Sequence, residues 1–392
     1  MRILFCNYEY PPLGGGGGVV MAAMARTLAR RHEVTVLTSR AAGLASEELD
    51  AGVRVVRVPV LFRRQLAVAN FPSMAVYLPM GLWRGLQLGR QRSFDIINTH
   101  FAVPTGPLGD WLSARLGIPN VLSVHGGDLY DPSKGSSPHR HGLLRRAVAR
   151  LLRRADAVVA QSRDTARNVE QIYGVQRDVG LIPLGIDRPP QDIQANREEF
   201  QLPADAFVLV TAGRIVARKA STQLLDTLVT LPAAHLLVIG DGPEADLLRR
   251  RAAESGVSDR LHMLGYVSDA VKYRALKVAD VFVSTSQHEG FGLVFLEAMA
   301  YGLPVVCYNR GGQTDFLTTP DTGAVVALND LKAFNSAVRD LQESPQRRSD
   351  IRRHNLAKVE NYFIDRCAER YEHLFEQTLA TSVRGVTRLE QK

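Results

Sequence analysis

The chain has 392 residues, 45% of them apolar and 22% charged, and a formal net charge of +8. That balance excludes a disordered or fibrous chain, and the length is enough for two domains with separate cores. Three cysteines, Cys6, Cys307 and Cys367, stand far apart without metal-ligand spacing. They suit buried free thiols in a reducing compartment.

The N-terminal MRILFCN reads as a strand with no cleavage site after it, so no signal peptide is expected. Short β-like runs recur at residues 3–7, 33–38, 53–58, 95–99, 120–124, 157–160 and 180–183. Between them lie apolar stripes at helical spacing, one through Val20, Met24 and Leu28 and another through Leu108, Leu112 and Leu116. The polar, turn-rich stretch over 183–200 reads as a hinge. A second alternation follows, with runs at 207–212, 235–240, 260–264, 279–284 and 305–308. Two such blocks predict an α/β chain of two doubly wound, Rossmann-like domains facing each other across a cleft. The expected boundaries are 1–184 for the N-terminal domain, 185–202 for a linker and 203–360 for the C-terminal domain. Residues 361–380 are expected to form a helix packing back toward the N-terminal domain, and 381–392 a tail.

Five consecutive glycines, Gly14 to Gly18, join the first strand to the first helix. The dinucleotide fingerprint does not fit them: its third glycine falls at Val19, and the second strand ends in Leu37-Thr38-Ser39-Arg40 without a ribose-binding acid. A loop that lets a substrate approach the backbone fits better than a flexible turn, because ordering five glycines is costly.

The uncharged stretch at 66–83 just reaches spanning length, but Asn70, Pro72, Ser73, Pro79 and Gly81 make it a poor span. A buried loop and helix is expected there, with shallow membrane contact as the alternative. The run at 139–156 carries Arg145, Arg146, Arg150, Arg153 and Arg154 beside leucines at helical spacing. It is either a solvated helix face or a surface that attracts anionic lipid or phosphorylated substrates, and no nucleic-acid motif accompanies it. The expected location is the cytoplasm, with the inner membrane face as a docking surface.

Candidate chemistry lies at strand C-termini, where ligands of open α/β sheets collect. His100 in NTHF and His125 in SVHGGD both follow strands, and Asp128 closes the second motif. A lone histidine is usually structural, and His125 with Gly126, Gly127 and Asp128 is the stronger candidate. The strand at 207–212 runs into GRIVARK, where Arg214 and Lys219 can hold a diphosphate, the guanidinium as a fork and the ammonium as a point charge. Either cation alone reads as a solvated loop residue. In VIGDGPEADLL, Asp241 and Gly242 can cap a helix and nothing more. Finally HEGFGLVFLEAMAYGLP, residues 288–304, places Glu289 where a strand hands over to a helix and Glu297 about one turn inside it. The helix dipole accounts for one such acid; a pair around Gly290, Phe291, Gly292 and Leu293 asks for a ligand.

In this order and spacing the motifs resemble the retaining, nucleotide-sugar-dependent glycosyltransferases of the GT-B fold, the group 1 (family 4) branch, over essentially the whole chain. The hallmark is Glu, seven residues, Glu, here Glu289 and Glu297. The resemblance implies that Glu297 holds the nucleotide ribose, Glu289 lies against the donor sugar, Arg214 and Lys219 hold the diphosphate, and His125 contacts the sugar near its anomeric centre. Gly15, Gly16 and Gly17 and the run Gly290, Phe291, Gly292 and Leu293 are expected along the donor, and His100 and Asp128 toward the acceptor. Two positions depart from the family pattern. Ala220 stands where a glycine usually follows the lysine, and Asp315 in GGQTDF where a glutamate is frequent.

Breaking the anomeric bond builds negative charge on the departing diphosphate, which Arg214, Lys219 and the amides near Gly292 and Leu293 are placed to stabilise. The chain contains no Asp-x-Asp, so a UDP- or GDP-sugar donor is expected with no metal and no other cofactor. The resemblance implies retention of anomeric configuration by same-face attack within an ion pair. The expected acceptor is a glycan or lipid-linked glycan in envelope polysaccharide or glycolipid synthesis, with a soluble phosphorylated acceptor as the alternative. A sugar-nucleotide 2-epimerase would share the two-domain shape and differ in its products. A lectin-like binder would bind sugar without turnover.

Overall fold

The structure is a computed structural model that describes residues 1–61 and 71–382. The expectations for 62–70, which include the first part of the uncharged stretch, and for 383–392, most of the tail, lie outside the described residues.

The chain divides into two compact units, the first made of Met1–Asp187 with the chain from Phe363 onward and the second of Arg188–Tyr362. In the first unit the described strands are β1 (Arg2–Cys6), β2 (Glu33–Arg40), β3 (Glu47–Asp50), β4 (Val53–Pro59), β5 (Ile96–His100), β6 (Asn120–Val124), β7 (Ala157–Ala160) and β8 (Gly180–Leu181). They form one sheet in the order β3-β4-β2-β1-β5-β6-β7-β8. All neighbours are parallel except β3 and β4. β5 (IINTH) and β6 (NVLSV) are buried along their whole length, as central strands covered on both faces must be. Tyr77 and Leu88 of the helix Phe71–Gln91 and Leu108 and Leu112 of the helix Gly106–Leu116 join Leu4, Cys6 and Ile97 in one core cluster. The helix Ile364–Thr381 packs against the helix Gly16–Leu28 and places Phe375 beside Phe5, 6.4 Å between ring centroids. From β4 the chain returns to lay β5 on the far side of β1, so the topological switch point falls between β1 and β5.

The second unit repeats the plan with β9 (Phe207–Ala212), β10 (Ala234–Ile239), β11 (Leu261–Gly265), β12 (Val281–Ser284), β13 (Val305–Tyr308) and β14 (Gly323–Val326). The order β11-β10-β9-β12-β13-β14 is parallel throughout. Here the switch point lies between β9 and β12.

The division between units is sharper than the expected linker over 185–202. Residues 188–202 belong to the second unit, where Arg197 hydrogen-bonds Asp280 at 3.0 Å and Phe200 and Leu202 are buried. The return to the first unit comes at Phe363, two residues later than the expected boundary at 361, and Ile364 N–H then donates to the Ile186 carbonyl at 2.8 Å. The uncharged stretch, within its described part, forms the start of the helix Phe71–Gln91, on which Trp83 is exposed rather than buried. No helix among the described residues is long and apolar enough to cross a membrane. Cys6, Cys307 and Cys367 are buried and free.

Candidate functional site

In the second unit, the loops leaving β9 and β12 at the switch point are tied into one body. Thr285 Oγ1 donates to the carbonyls of Lys219 (3.2 Å) and Ala220 (2.9 Å), and Gln287 N–H donates to the Arg218 carbonyl (2.8 Å). A small pocket is lined by Gly213, Arg214, Lys219, Ser221 and Ser284. Arg214 is exposed on its wall. Lys219 Nζ pairs with Glu289 Oε1, and the Arg218 guanidinium lies 3.5 Å from Oε2 and also donates to the His288 carbonyl. Ser286 Oγ donates to Glu289 Oε1 at 2.6 Å. Burial pushes the Glu289 carboxyl up. The charges of Lys219 and Arg218, with the hydrogen bonds from Lys219 and Ser286, outweigh it and hold the pKa at about 2.

The backbone pins Glu289 as well. Its N–H donates to the Arg310 carbonyl at 3.1 Å and its carbonyl accepts from Gly312 N–H at 2.9 Å. Gly311 has φ 113°, and a Cβ there would collide with the Glu289 carbonyl oxygen, so only glycine fits. Glu297 sits on the helix Leu293–Ala300 and pairs with Lys272 at 2.7 Å. Lys272, on the helix Asp269–Val278, also reaches Asp269 at 2.9 Å. Burial raises the Glu297 carboxyl, and the Lys272 ammonium pulls the other way.

In the first unit the β1/β5 switch point carries the glycine run. Gly16 to Gly18 form the first turn of the helix Gly16–Leu28, and Gly15 N–H donates to Glu9 Oε2 at 3.1 Å. A Cβ on Gly17 would press into the Phe101 ring, whose centroid lies 4.3 Å from that of His125. His125 N–H donates to Asp128 Oδ1 at 2.8 Å, and Asp128 Oδ2 accepts from Ala102 N–H at 2.6 Å. Asp128 therefore ties together the loops that follow β5 and β6. Burial lifts its carboxyl to about 6 against the pull of those backbone donors. His125 Nε2 faces His100 Nδ1 at 2.9 Å, and His100 Nε2 faces Asn98 Oδ1 at 2.8 Å. Burial drives both imidazoles below the usual histidine range, His125 to about 4.

Two family models match the chain: Glycosyltransferase Family 4 over residues 14–188 and Glycosyl transferases group 1 over residues 192–357. The chain belongs to the group 1 glycosyltransferases. It is 28% identical over 366 residues to a GDP-mannose-dependent alpha-(1-6)-phosphatidylinositol monomannoside mannosyltransferase of Mycolicibacterium smegmatis, covering 88% of this chain and 90% of that one. It is 28% identical over 371 residues to a D-inositol 3-phosphate glycosyltransferase of Xylanimonas cellulosilytica, covering 88% and 87%. Among solved structures, sucrose-phosphate synthase from Thermosynechococcus elongatus matches with a TM-score of 0.80 at 22% identity, covering 97% of this chain and 100% of that one. That likeness is one of fold, the GT-B pair of parallel-sheet units.

In this glycosyltransferase the expected donor residues divide by what their side chains do. Arg214 and Lys219 line one pocket and Lys219 pairs with Glu289. Phe291 is core instead: its buried ring packs on Phe316 with centroids 5.1 Å apart, and only its backbone is left for a ligand. Gly290, Gly292 and Leu293 turn the chain into the Glu297 helix. The acceptor contacts expected of His100 and Asp128 do not fit, because both side chains are buried, 1% and 6% exposed, and engaged within the unit. They brace His125.

Three partners escaped the sequence reading. Arg218 was visible inside GRIVARK, and the tight turn Ala217–Lys219 brings it alongside Lys219. Asn98 shares a strand face with His100 at the two-residue period, a signal that could have been used. Lys272, 25 positions from Glu297, carried no signal. Ala220 adopts the left-handed conformation at φ 45°, where a glycine would sit without strain and an alanine costs about 1 kcal/mol.

Proposed function

We propose that the protein is a retaining glycosyltransferase that moves a sugar from a UDP- or GDP-sugar, without a metal, to a glycan or lipid-linked acceptor in envelope polysaccharide or glycolipid assembly. The observation that carries this reading is the cation cluster at the β9/β12 switch point. Arg214, Arg218 and Lys219 supply three positive charges against the single negative charge of Glu289, leaving two for a diphosphate. As the anomeric C–O bond breaks, the diphosphate gains charge that these fixed groups stabilise without reorganising. The Glu289 carboxylate offsets the positive charge building on the sugar. Glu297, oriented by Lys272, accepts hydrogen bonds from the ribose hydroxyls. His125, in the first unit, contacts a hydroxyl of a sugar substrate. The relative named for GDP-mannose supports a nucleoside diphosphate sugar as the donor.

Turnover with a panel of UDP- and GDP-sugars is expected to be unchanged in excess chelator, and the anomeric configuration of the product, read by NMR, to match the donor's. Activity that vanishes in chelator and returns with manganese would overturn metal independence, and an inverted product would overturn retention.

The relatives' names include both a phosphatidylinositol monomannoside and D-inositol 3-phosphate. For this chain the surface favours lipid. The helix Gly142–Arg154 exposes Arg145, Arg146, Arg150 and Arg153 beside Leu143, 81% exposed. Near an anionic leaflet each such basic side chain contributes about 1 kcal/mol. In this reading the enzyme works in the cytoplasm at the inner membrane face. Co-sedimentation with anionic vesicles at low salt, reversed by salt and absent with neutral vesicles, is the expected result. Protein that stays in the supernatant with anionic vesicles would replace the lipid-linked acceptor with a soluble phosphorylated one.

A further inference from the structure

Three side chains of the first unit form a hydrogen-bond chain whose proton positions follow from one another. Asn98 Nδ2 donates to the Val121 carbonyl at 3.0 Å and to the Ser123 hydroxyl at 2.9 Å. A carbonyl only accepts, so the amide nitrogen must face it and Oδ1 must face His100 Nε2, 2.8 Å away. Oδ1 carries no hydrogen, so His100 Nε2 is the protonated nitrogen. A neutral imidazole has one N–H, which leaves His100 Nδ1 as a lone pair facing His125 Nε2 at 2.9 Å. His125 Nε2 must then donate. Its Nδ1 is left as a bare acceptor, buried and without a partner among the described residues.

The surroundings hold this arrangement in place. Burial keeps both rings uncharged, so neither nitrogen pair gains a second proton. His100 lies between Phe5, 5.8 Å away, and Tyr371, 6.2 Å away, measured between ring centroids. The Tyr371 hydroxyl donates to Ser123 Oγ at 3.0 Å, which steadies the partner of the Asn98 amide. A buried acceptor left unpaired costs stability. What it lacks is a donor such as a hydroxyl.

We propose that Asn98 and His100 are positioning residues that hold His125 in its Nε2-protonated tautomer, so that His125 Nδ1 accepts a hydrogen bond from a sugar hydroxyl. The proposal rests on the reading of His125 as a sugar contact and adds to it the nitrogen that makes the contact and the two residues that select it. The other tautomer would turn a donor toward the hydroxyl, and that hydroxyl would have to rotate to accept.

The test uses the full-length protein labelled with 15N-histidine, in which long-range 1H–15N correlations read the protonated ring nitrogen. His125 is expected to be Nε2-protonated in the parent. His100→Gln keeps the polarity of the chain, its amide N–H facing Asn98 Oδ1 and its oxygen facing His125 Nε2, and is expected to preserve that tautomer. His100→Leu is expected to release it to a mixture. Loss of one aligned hydrogen bond is expected to lower kcat about tenfold in His100→Leu, with the donor KM within about twofold and His100→Gln within about threefold of the parent. A parent His125 protonated at Nδ1, a His100→Leu protein that turns over at the parental rate, or a His100→Gln protein as impaired as His100→Leu overturns the proposal. The parent spectrum needs no variant, so a misfolded His100→Leu does not shelter the idea. A parent protein that transfers no sugar from any nucleotide sugar refutes the transferase reading instead, while the spectrum judges the tautomer independently.

Discussion

Glu289 concentrates the electrostatics of the second unit in one side chain. It is 8% exposed and held by Lys219, Arg218 and Ser286. Glu289→Gln leaves two cations without their counter-charge, a change expected to cost on the order of 3 kcal/mol in urea unfolding at pH 7. The pH dependence has a definite sign. The folded-state pKa of about 2 lies below the ordinary 4.5, so the carboxylate's contribution is complete above about pH 4.5 and is lost as pH falls toward 2. The gap between parent and Glu289→Gln should therefore be smaller at pH 3 than at pH 7. An equal gap at both would show that the ion pairs contribute nothing. Lys272 has a different task, and Lys272→Met leaves Glu297 mostly buried without its cation. Nucleoside diphosphate affinity, measured by calorimetry, is expected to fall about tenfold, the scale of one charge-assisted hydrogen bond misplaced. Unchanged affinity would separate Lys272 from the nucleotide.

At the scale of elements, both switch points place a loop from one strand against a loop from its neighbour, and the contact between them must be close. Gly311, on the loop after β13, touches the Glu289 loop through an isolated bridge. Gly311→Ala adds a methyl group where the Glu289 carbonyl stands and strains φ 113°. It is expected to lower stability by roughly 2 kcal/mol and turnover more than nucleotide affinity, because the Glu289 carboxylate is displaced while the Glu297 helix stays in place. Thermal unfolding together with a kcat and KM comparison would check it; an unperturbed enzyme would mean the loop yields freely. The buried polar residues of β5, β6 and β12 are held by partners: Asn98 by the Val121 carbonyl and Ser123, Thr99 by Asn120, and His100 by Asn98.

At the scale of the whole molecule, the chain closes its first unit with its own C-terminal helix. Cys367, Ala368, Tyr371 and Phe375 are buried on it, so the last strand-forming segment of the second unit is followed by a return to the first. Phe375→Ala is expected to cost about 3–5 kcal/mol and to do so in the first unit. Amide hydrogen exchange should accelerate at β1 and β5 and stay unchanged at β9 and β12. Equal acceleration in both units would mean that the helix supports the two alike.

The sequence by itself determined what depends on short-range pattern. Strands β6, β7, β9 and β13 were legible to the residue because short runs rich in β-branched and apolar residues, bounded by turn residues, suit strands of a parallel sheet. The motif positions were legible because ligands of such sheets collect at strand C-termini, whatever the partner strand. β3 (EELD) and β14 (GAVV) were not, since short edge segments without alternation become strands only when β4 and β13 offer them hydrogen bonds. The tertiary structure alone decided the partnerships. Lys219 and Glu289 lie 70 positions apart, and they meet because the sheet order sets β12 beside β9. The same order sets β5 beside β6, which buries His100 and leaves His125 Nδ1 without a partner among the described residues. Charge, burial and proton position are properties of neighbours, and neighbours across a switch point are chosen by the winding of the whole sheet rather than by any local run of residues.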